Sequence, residues 1–233
     1  MDRNLISDLI YDANNLGVIT FSEFITPNIY KKIASKYMDV NIYSFGIIRK
    51  IFAFVPNYID DFEFPTKLLK IEVSNKFRTY THRDFLGSIM GLNIKRELIG
   101  DIFVSDNIAY VYVMSDISDF IIHNLNKIGI NNCTVEISDK TNLDFKYEDI
   151  KCIISSFRLD NIVSAITNQS RQNTELYIQQ GLCMVDYEVC LDKSKLIYEN
   201  AILSLKKYGR YIVGSEDRKT KKDKIVLNIK KFI

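Results

Sequence analysis

The sequence predicts an α+β chain in three parts. A helical amino-terminal segment with one strand covers residues 1–64. A central domain with elements in the order β-α-β-β-α-β covers 65–140. A small unit of two helices on a few strands covers 150–233. Three observations carry this prediction. Apolar spacing alternates between strand and helix periods through residues 69–137. Residues 138–150, SDKTNLDFKYEDI, are polar and turn-prone and form a boundary. Charge divides at the same place: residues 1–150 hold 16 Lys/Arg against 20 Asp/Glu, while 151–233 hold 15 against 9, so −4 faces +6.

Residues 1–40 read as helical. Leu5, Ile6, Leu9 and Ile10 recur at helical spacing, and Ile29, Ile33, Ala34 and Tyr37 do so again. Thr26-Pro27 supplies a start signal for the second group. Residues 47–55 are β-rich and stop at Pro56, which predicts a strand. Asp60-Asp61-Phe62-Glu63 reads as a solvated loop.

In the central domain, residues 69–74 predict a strand. Residues 81–92 predict a helix with Phe85, Leu86, Ile89 and Met90 on one face. Residues 101–105 and 109–114 flank Asp106-Asn107 as a hairpin. Ser115 or Asp116 caps the next helix, which runs to Lys127 with Ile117, Phe120, Ile121 and Leu125 inward and stops at Gly129. Residues 132–137 are the last strand. This order is that of a split βαβ, ferredoxin-like domain, a topology shared with RNA-recognition domains. No strand reads as an aromatic-rich RNP type, and topology alone does not specify function.

In the carboxy-terminal unit, Ser155 or Ser156 caps a helix over 157–166 that buries Leu159, Ile162, Val163 and Ile166. Asn168 or Ser170 caps a second helix over 171–180, with Leu176 and Ile178 near its buried side and Gly181 as its stop. Residues 182–185, 189–191 and 202–207 predict strands. Residues 211–213 pair with 225–229 around a charged tip at 216–224.

Composition narrows the function classes. A hydrophobic share of 47% supports real cores, and three Pro with nine Gly leave little room for flexible linkers. No apolar run reaches the ~18–20 residues that a membrane-crossing helix needs. The start, MDRNLISDLIYDANN, has no apolar signal core. A cytoplasmic protein without membrane insertion is expected. Cys133, Cys152, Cys183 and Cys190 include no C-x-x-C pair, so buried free thiols are expected and neither zinc nor another cofactor is assigned.

The candidate site residues are cationic. A helix N-terminus offers backbone N–H groups and a positive dipole end, which suits phosphate. Arg158 lies in the first turn of one predicted helix, and Ser170, Arg171 and Gln172 open the next. Arg holds phosphate in a bidentate way. A surface pair between Arg158 and Asp160, worth ~0–1 kcal/mol, fits the same spacing. Spacing alone does not separate the two.

A basic run follows: Lys206, Lys207 and Arg210, then Arg218, Lys219, Lys221, Lys222 and Lys224. Residues 204–233 hold ten Lys/Arg against three acids. A charge run usually marks a solvated face. Here Tyr208 and Tyr211 interleave the cations and Gly209 permits close backbone approach, which points to a nucleic-acid surface. A second, smaller cluster flanks the helix at 81–92: Lys76, Arg78, His82, Arg83, Lys95 and Arg96. His82 reads as a cap or surface residue and His123 as structural. No Ser/His/Asp set, H-E-x-x-H, phosphate-binding loop or G-x-G-x-x-G occurs, so no catalytic residue is assigned.

Ser156-Phe157-Arg158-Leu159-Asp160, then Ser170-Arg171, then Gly181 with the strand at 183–185 resemble the S4 RNA-binding domain. The pattern of that family is R-L-D, a spaced S-R and a G-x-V-x-V-N strand. Asp186 stands where the Asn is common, a departure that bears on a turn and not on the fold. Lys206-Lys207-Tyr208-Gly209-Arg210 resembles the closing R-G-x-G-R strand. The segment THRDFLGSIMGL at 81–92, continuing through Lys95-Arg96-Glu97 and Gly100-Asp101-Ile102, resembles the YlmH family of bacterial RNA-binding proteins, often linked to cell division.

Together the two resemblances span nearly the whole chain, with residues 65–233 carrying them more strongly than 1–60. They imply a non-enzymatic, cytoplasmic RNA-binding protein. Its partners would be rRNA and tRNA on the large ribosomal subunit, in rescue of stalled nascent chains, with division proteins as a further partner class. Two other functions compete. An RNA-modifying enzyme is one, because S4 domains are often fused to pseudouridine synthases. It would need its own catalytic Asp motif, and the one R-L-D lies in the S4-like module. A protein-interaction adaptor at the division site is the other.

Overall fold

The computed structural model describes residues 3–31, 33, 40–75 and 77–233. The chain divides into two units, residues 1–144 and 145–233.

In the first unit, Ile6, Ile10 and Ala13 recur at helical spacing, and helix α1 (Arg3–Leu16) buries all three. The β-branched and aromatic run Val18-Ile19-Thr20-Phe21 leaves the helix and enters strand β1 (Thr20–Phe21). A one-turn helix α2 (Pro27–Tyr30) follows, with Pro27 preset for its first turn. Strands β2 (Val40–Phe45) and β3 (Ile51–Pro56) complete an antiparallel sheet of order β1-β3-β2. The all-helical expectation for residues 1–40 is therefore corrected. The alternation in VNIYSF makes β2 a strand that helical spacing did not suggest. Ala34 and Tyr37 of the expected second helix lie outside the described residues.

The remaining elements of this unit are β4 (Thr66–Val73), α3 (His82–Met90), β5 (Ile99–Ser105), β6 (Ile108–Met114), α4 (Ser115–Asn124), β7 (Lys127–Ile128) and β8 (Asn131–Ile137). They form a five-stranded antiparallel sheet of order β5-β6-β4-β8-β7. Phe85 and Ile89 of α3 and Ile121 of α4 pack with Leu69, Ile71, Val111 and Val113 of the sheet, all buried. Helix α4 is shorter than expected. It ends at Asn124, and Gly129 (φ 61°) turns the β7–β8 hairpin instead of stopping a helix. Its N-cap is Met114, and Ser115 is already helical. Ser118, Ile121 and Leu125 form its buried stripe, so Phe120 points away and is 48% exposed.

Two close approaches tie the small sheet to the large one. The carboxylate of Asp101, 5% exposed, accepts backbone N–H groups from Ile47, Ile48 and Arg49 at 2.9, 2.9 and 3.1 Å. Gly46 (φ 108°) opens this turn, and a Cβ there would stand 2.3 Å from the Arg49 carbonyl. Beside it, the Phe24 N–H donates to the Glu97 carbonyl at 2.8 Å, and a Cβ on Gly100 would strike the Phe24 ring at 2.7 Å.

The second unit is built on one six-stranded antiparallel sheet. Its elements are β9 (Tyr147–Ile154), α5 (Leu159–Thr167), α6 (Arg171–Gln179), β10 (Cys183–Val185), β11 (Glu188–Val189), β12 (Ile202–Leu205), β13 (Gly209–Lys219) and β14 (Ile225–Phe232). The order is β11-β10-β12-β13-β14-β9. Tyr147 to Ile150 are thus strand, paired with Phe232 to Ile229, where a polar boundary was expected. The long neighbour β14 satisfies their backbone groups, which side-chain polarity alone conceals. Leu159, Ile162 and Val163 of α5 and Tyr177 and Ile178 of α6 cover one sheet face, against Leu203, Leu205, Val213, Leu227 and Ile229. Leu176, expected near the buried side of α6, is 49% exposed; Thr174 takes that place.

Replacing Asp101 by Ala leaves three N–H groups, two of them buried, without their acceptor. The substitution should lower stability by about 3 kcal/mol, read as a shifted midpoint in urea unfolding followed by circular dichroism.

Candidate nucleic-acid interface

The start of α5 is closed. Its first N–H groups are spoken for: Leu159 donates to the Lys195 carbonyl (2.9 Å), Asp160 to the Lys193 carbonyl (3.0 Å), and Asn161 to Asp160 Oδ1 (2.9 Å). The loop at 192–196 therefore occupies the place expected for a phosphate. Arg158 is the N-cap residue. Its Nε and Nη2 donate to Asp160 Oδ1 and Oδ2 at 3.2 and 2.8 Å. Asp160 is 5% exposed, and the Arg158 guanidinium holds its carboxyl below the usual carboxylate range. Of the two roles that spacing left open, the structure realises the Arg158–Asp160 pair.

The start of α6 differs. Ser170 is the N-cap, and its hydroxyl accepts the Asn173 N–H at 3.3 Å. The Arg171 side chain is 80% exposed, with a loose contact of 3.4 Å to Glu175. Gln172 is exposed beside it. Glu175 is also held by Lys193 at 2.8 Å, and this bond keeps its carboxyl ionised below the usual range.

Residues 206–208 form the tight turn between β12 and β13, with Lys207 at φ 75°. Lys206 and Lys207 are exposed. The turn is anchored from beneath. Gln169 Nε2 donates to the Tyr208 hydroxyl (2.7 Å), the Tyr177 hydroxyl donates to the Lys206 carbonyl (2.8 Å), and the Tyr177 and Tyr208 rings meet edge to face at 6.0 Å. Gln169 immediately precedes Ser170. The structure thus brings Ser170, Arg171 and Gln172 to the same corner as Lys206, Lys207 and Tyr208.

Arg210 does not join them in water. Its Nη1 donates to the Tyr187 hydroxyl at 2.6 Å, and its guanidinium lies 4.1 Å from the centre of the Phe232 ring. Arg218, Lys219, Lys221, Lys222 and Lys224 are exposed at and around the β13–β14 tip. Lys219 contacts Asp223 at 3.4 Å. At ~3.3 Å per residue, ten residues of β13 separate this tip from the 206–208 turn by roughly 30 Å. The basic run is therefore two patches, one at each end of one strand.

The second cluster also splits. Arg78, His82 and Arg83 stand at the start of α3, which is roughly 13 Å long, while Lys95 and Arg96 come after the turn that follows its end. Lys76 lies outside the described residues. Asp84 fills the α3 start by accepting the Thr81 N–H (2.9 Å) and hydroxyl (2.7 Å), and it pairs with Arg78 at 3.2 Å. The cap is thus Thr81, and His82 is the first helical residue. Arg96 donates to the Ile99 carbonyl, while Arg83 and Lys95 are exposed.

Asp186 accepts the Ile202 N–H at 2.9 Å and the Tyr198 hydroxyl, so the carboxylate at this position makes a fully bonded turn. Burial pushes the Cys183 thiol up to about 12. Among the described residues, no three His, Cys, Asp or Glu side chains come together in a metal-holding arrangement, and no helix is long and apolar enough to cross a membrane.

Residues 59–142 match the family model described as "Putative RNA-binding domain in YlmH". The chain is 31% identical over 181 residues to "Ribosome-associated protein quality control protein P2" of Bacillus subtilis (strain 168), which covers 76% of this chain and 70% of that protein. The chain belongs to the YlmH family. A solved structure, "Cell division protein ylmH from Streptococcus pneumoniae", is similar at 26% identity and a TM-score of 0.50, over 58% of this chain and 87% of that one.

Sequence reasoning missed aromatic positions in this YlmH-family chain. Strand β6 alternates as IAYVYVM, with Ala109, Val111 and Val113 buried toward α3 and α4. Tyr110 and Tyr112 therefore stand on the opposite face. Lys140 lies 4.2 Å over the Tyr110 ring, and Phe45 packs edge-on to Tyr112 at 4.9 Å. The period-2 alternation was the available signal. Phe145 and Phe232, which pack together at 5.3 Å beside Arg210, gave no such signal, because they are 87 positions apart in sequence.

Arg158→Ala leaves a buried carboxylate without its partner and should lower stability by about 1–3 kcal/mol. Arg171→Ala should stay within about 0.5 kcal/mol. The Asp160 carboxyl has a folded value below its ordinary 3.8, so its contribution is complete above that value and is lost as pH falls through the folded one. Urea midpoints measured across about pH 2–7 should fall on the acid side for the parent chain and fall less for Arg158→Ala.

Proposed function

We propose that this YlmH-family chain is a non-enzymatic, cytoplasmic RNA-binding protein that grips rRNA and tRNA on the large ribosomal subunit during rescue of stalled nascent chains. The central domain (65–140) is taken as ferredoxin-like, with the amino-terminal segment (1–64) packed on it. The carboxy-terminal domain (150–233, with residues 145–149 completing its sheet) is taken as S4-like. One observation carries the proposal: the anchored corner where Ser170, Arg171 and Gln172 meet Lys206, Lys207 and Tyr208. Its cations project into water while its backbone is fixed from beneath, so an incoming phosphate meets donors that need little ordering. The B. subtilis relative's name, with its words "ribosome-associated", supports the choice of partner.

Lys219, Lys221, Lys222 and Lys224 form a second contact, roughly 30 Å from the first. A rigid body with two cationic ends suits a large, structured RNA better than a short strand. Arg78, His82, Arg83, Lys95 and Arg96 of the central domain add weaker contacts, with Lys76 beside them in sequence. Arg158 and Arg210 act from within, the first by fixing the start of α5 and the second by its stack on Phe232.

The name of the S. pneumoniae structure favours a second reading, a protein-interaction adaptor in division. The two differ in salt dependence. Each lost phosphate contact reduces the slope of log affinity against log salt by roughly 0.9. The triple variant Arg171→Glu/Lys206→Glu/Lys207→Glu should lose ribosome co-sedimentation at moderate salt while its circular dichroism and thermal midpoint stay unchanged. Binding to division proteins that survives RNase and high salt, with ribosome binding untouched by the triple variant, would favour the adaptor. Turnover in a pseudouridylation assay on rRNA and tRNA would overturn the non-enzymatic assignment.

A further inference from the structure

Two loops at one end of the five-stranded sheet carry the most exposed large apolar side chains among the described residues. Phe77, in the loop after β4, is 103% exposed, and Ile130, in the β7–β8 turn, is 85% exposed. Leaving both in water forgoes the roughly 1.5–3 kcal/mol that burying such a side chain contributes.

The two loops are bound into one surface. Ser74 donates through both its N–H and its hydroxyl to the Asn132 carbonyl, each at 2.9 Å. Asn75 Nδ2 donates to Asn131 Oδ1 at 3.3 Å, and the Phe77 N–H donates to Asn75 Oδ1 at 3.0 Å. The Gly129 N–H donates to Ser88 Oγ of α3 at 3.3 Å. The Arg78 guanidinium lies against the turn, with Nη1 3.8 Å from where a Cβ on Gly129 would stand. The loop holding Phe77 is thus pinned at its base while the ring projects.

The two segments that carry this pair hold cations and no acid in sequence, with Glu72 and Asp84 bounding the first and Asp119 and Glu136 the second. Residues 73–83 carry Lys76, Arg78 and Arg83 and no acid, and residues 120–135 carry Lys127 and no acid. Asp84, the next acid along, is held by Thr81 and Arg78. An exposed aromatic ring with cations around it matches a nucleobase with flanking phosphates. Base–aromatic stacking tolerates any base, and the cations follow the backbone. An anionic lipid surface offers the same two attractions, but two isolated apolar side chains bury too little area to anchor there.

We propose that this rim binds unpaired RNA bases: Phe77 stacks on a base, Ile130 packs beside it, and Arg78, Arg83 and Lys127 take the neighbouring phosphates. The inference rests on the RNA-binding reading above and adds the class of RNA, looped or single-stranded, that the first unit selects.

The chain contains no Trp, so Phe77→Trp places one reporter at the rim. Two probes suffice: an RNA stem–loop with unpaired adenosines in its loop, and a blunt RNA duplex of equal length. Stem–loop should quench Phe77→Trp emission and duplex should not. Phe77→Ala should weaken stem–loop binding roughly fivefold to a hundredfold and leave duplex binding unchanged. The proposal is overturned if stem–loop, bound by gel shift, leaves the emission unchanged, or if Phe77→Ala binds both probes like the parent. Loss of binding in the Arg171/Lys206/Lys207 variant alongside an inert Phe77 would strike this inference alone. Absence of any RNA binding by the parent would strike both. Emission changes with phosphatidylserine vesicles but not with RNA would reassign the rim to a membrane surface.

Discussion

The bidentate pair between Arg158 and Asp160 governs how the second unit can meet an anion. A buried carboxylate is tolerated only with a partner, and Arg158 supplies one at 2.8 Å. The same carboxylate takes the Asn161 N–H, while the carbonyls of Lys193 and Lys195 take the two before it. Helix α5 therefore starts from a closed junction, and its dipole end is spent on the protein itself. The loop at 192–196 is held down by those bonds, and Lys193 is placed against Glu175. At the start of α6 and the turn at 206–208, by contrast, exposed cations stand on a base fixed by Gln169 and Tyr177.

Much of the fold was legible because hydrophobic period is a local signal. Phe85 and Ile89, or Leu159, Ile162 and Val163, announce their helices within a few residues, and the structure buries all five. Errors arose where a tertiary partner decided the outcome. Val18 to Phe21 can continue a helix on paper, yet β3 offers a ladder, and Thr20 and Phe21 pair with it. Tyr147 to Ile150 look like linker, yet β14 is long enough to satisfy their backbone. Gly129 was a correct turn signal attached to the wrong turn.

The site was legible as residue types but not as geometry. A sequence shows that Arg158, Arg171 and Arg210 are cations. It does not show that Asp160 pairs with the first, that Phe232 and Tyr187 hold the third, or that the Arg171 side chain is 80% exposed. Distance misled in the same way. Lys206 and Lys222 are near in sequence, but an extended strand converts that separation into roughly 30 Å. Phe145 and Phe232 show the reverse, with rings in contact from opposite ends of the unit.

Ultraviolet cross-linking of the 233-residue chain to purified ribosomes, read by mass spectrometry of RNA-adducted peptides, tests the central claim most directly. The account predicts adducts on the peptide carrying Lys206, Lys207 and Tyr208, on the peptides spanning 219–224, and none at Arg158. Adducts confined to α5 and the 192–196 loop, or to ribosomal protein alone, would contradict it.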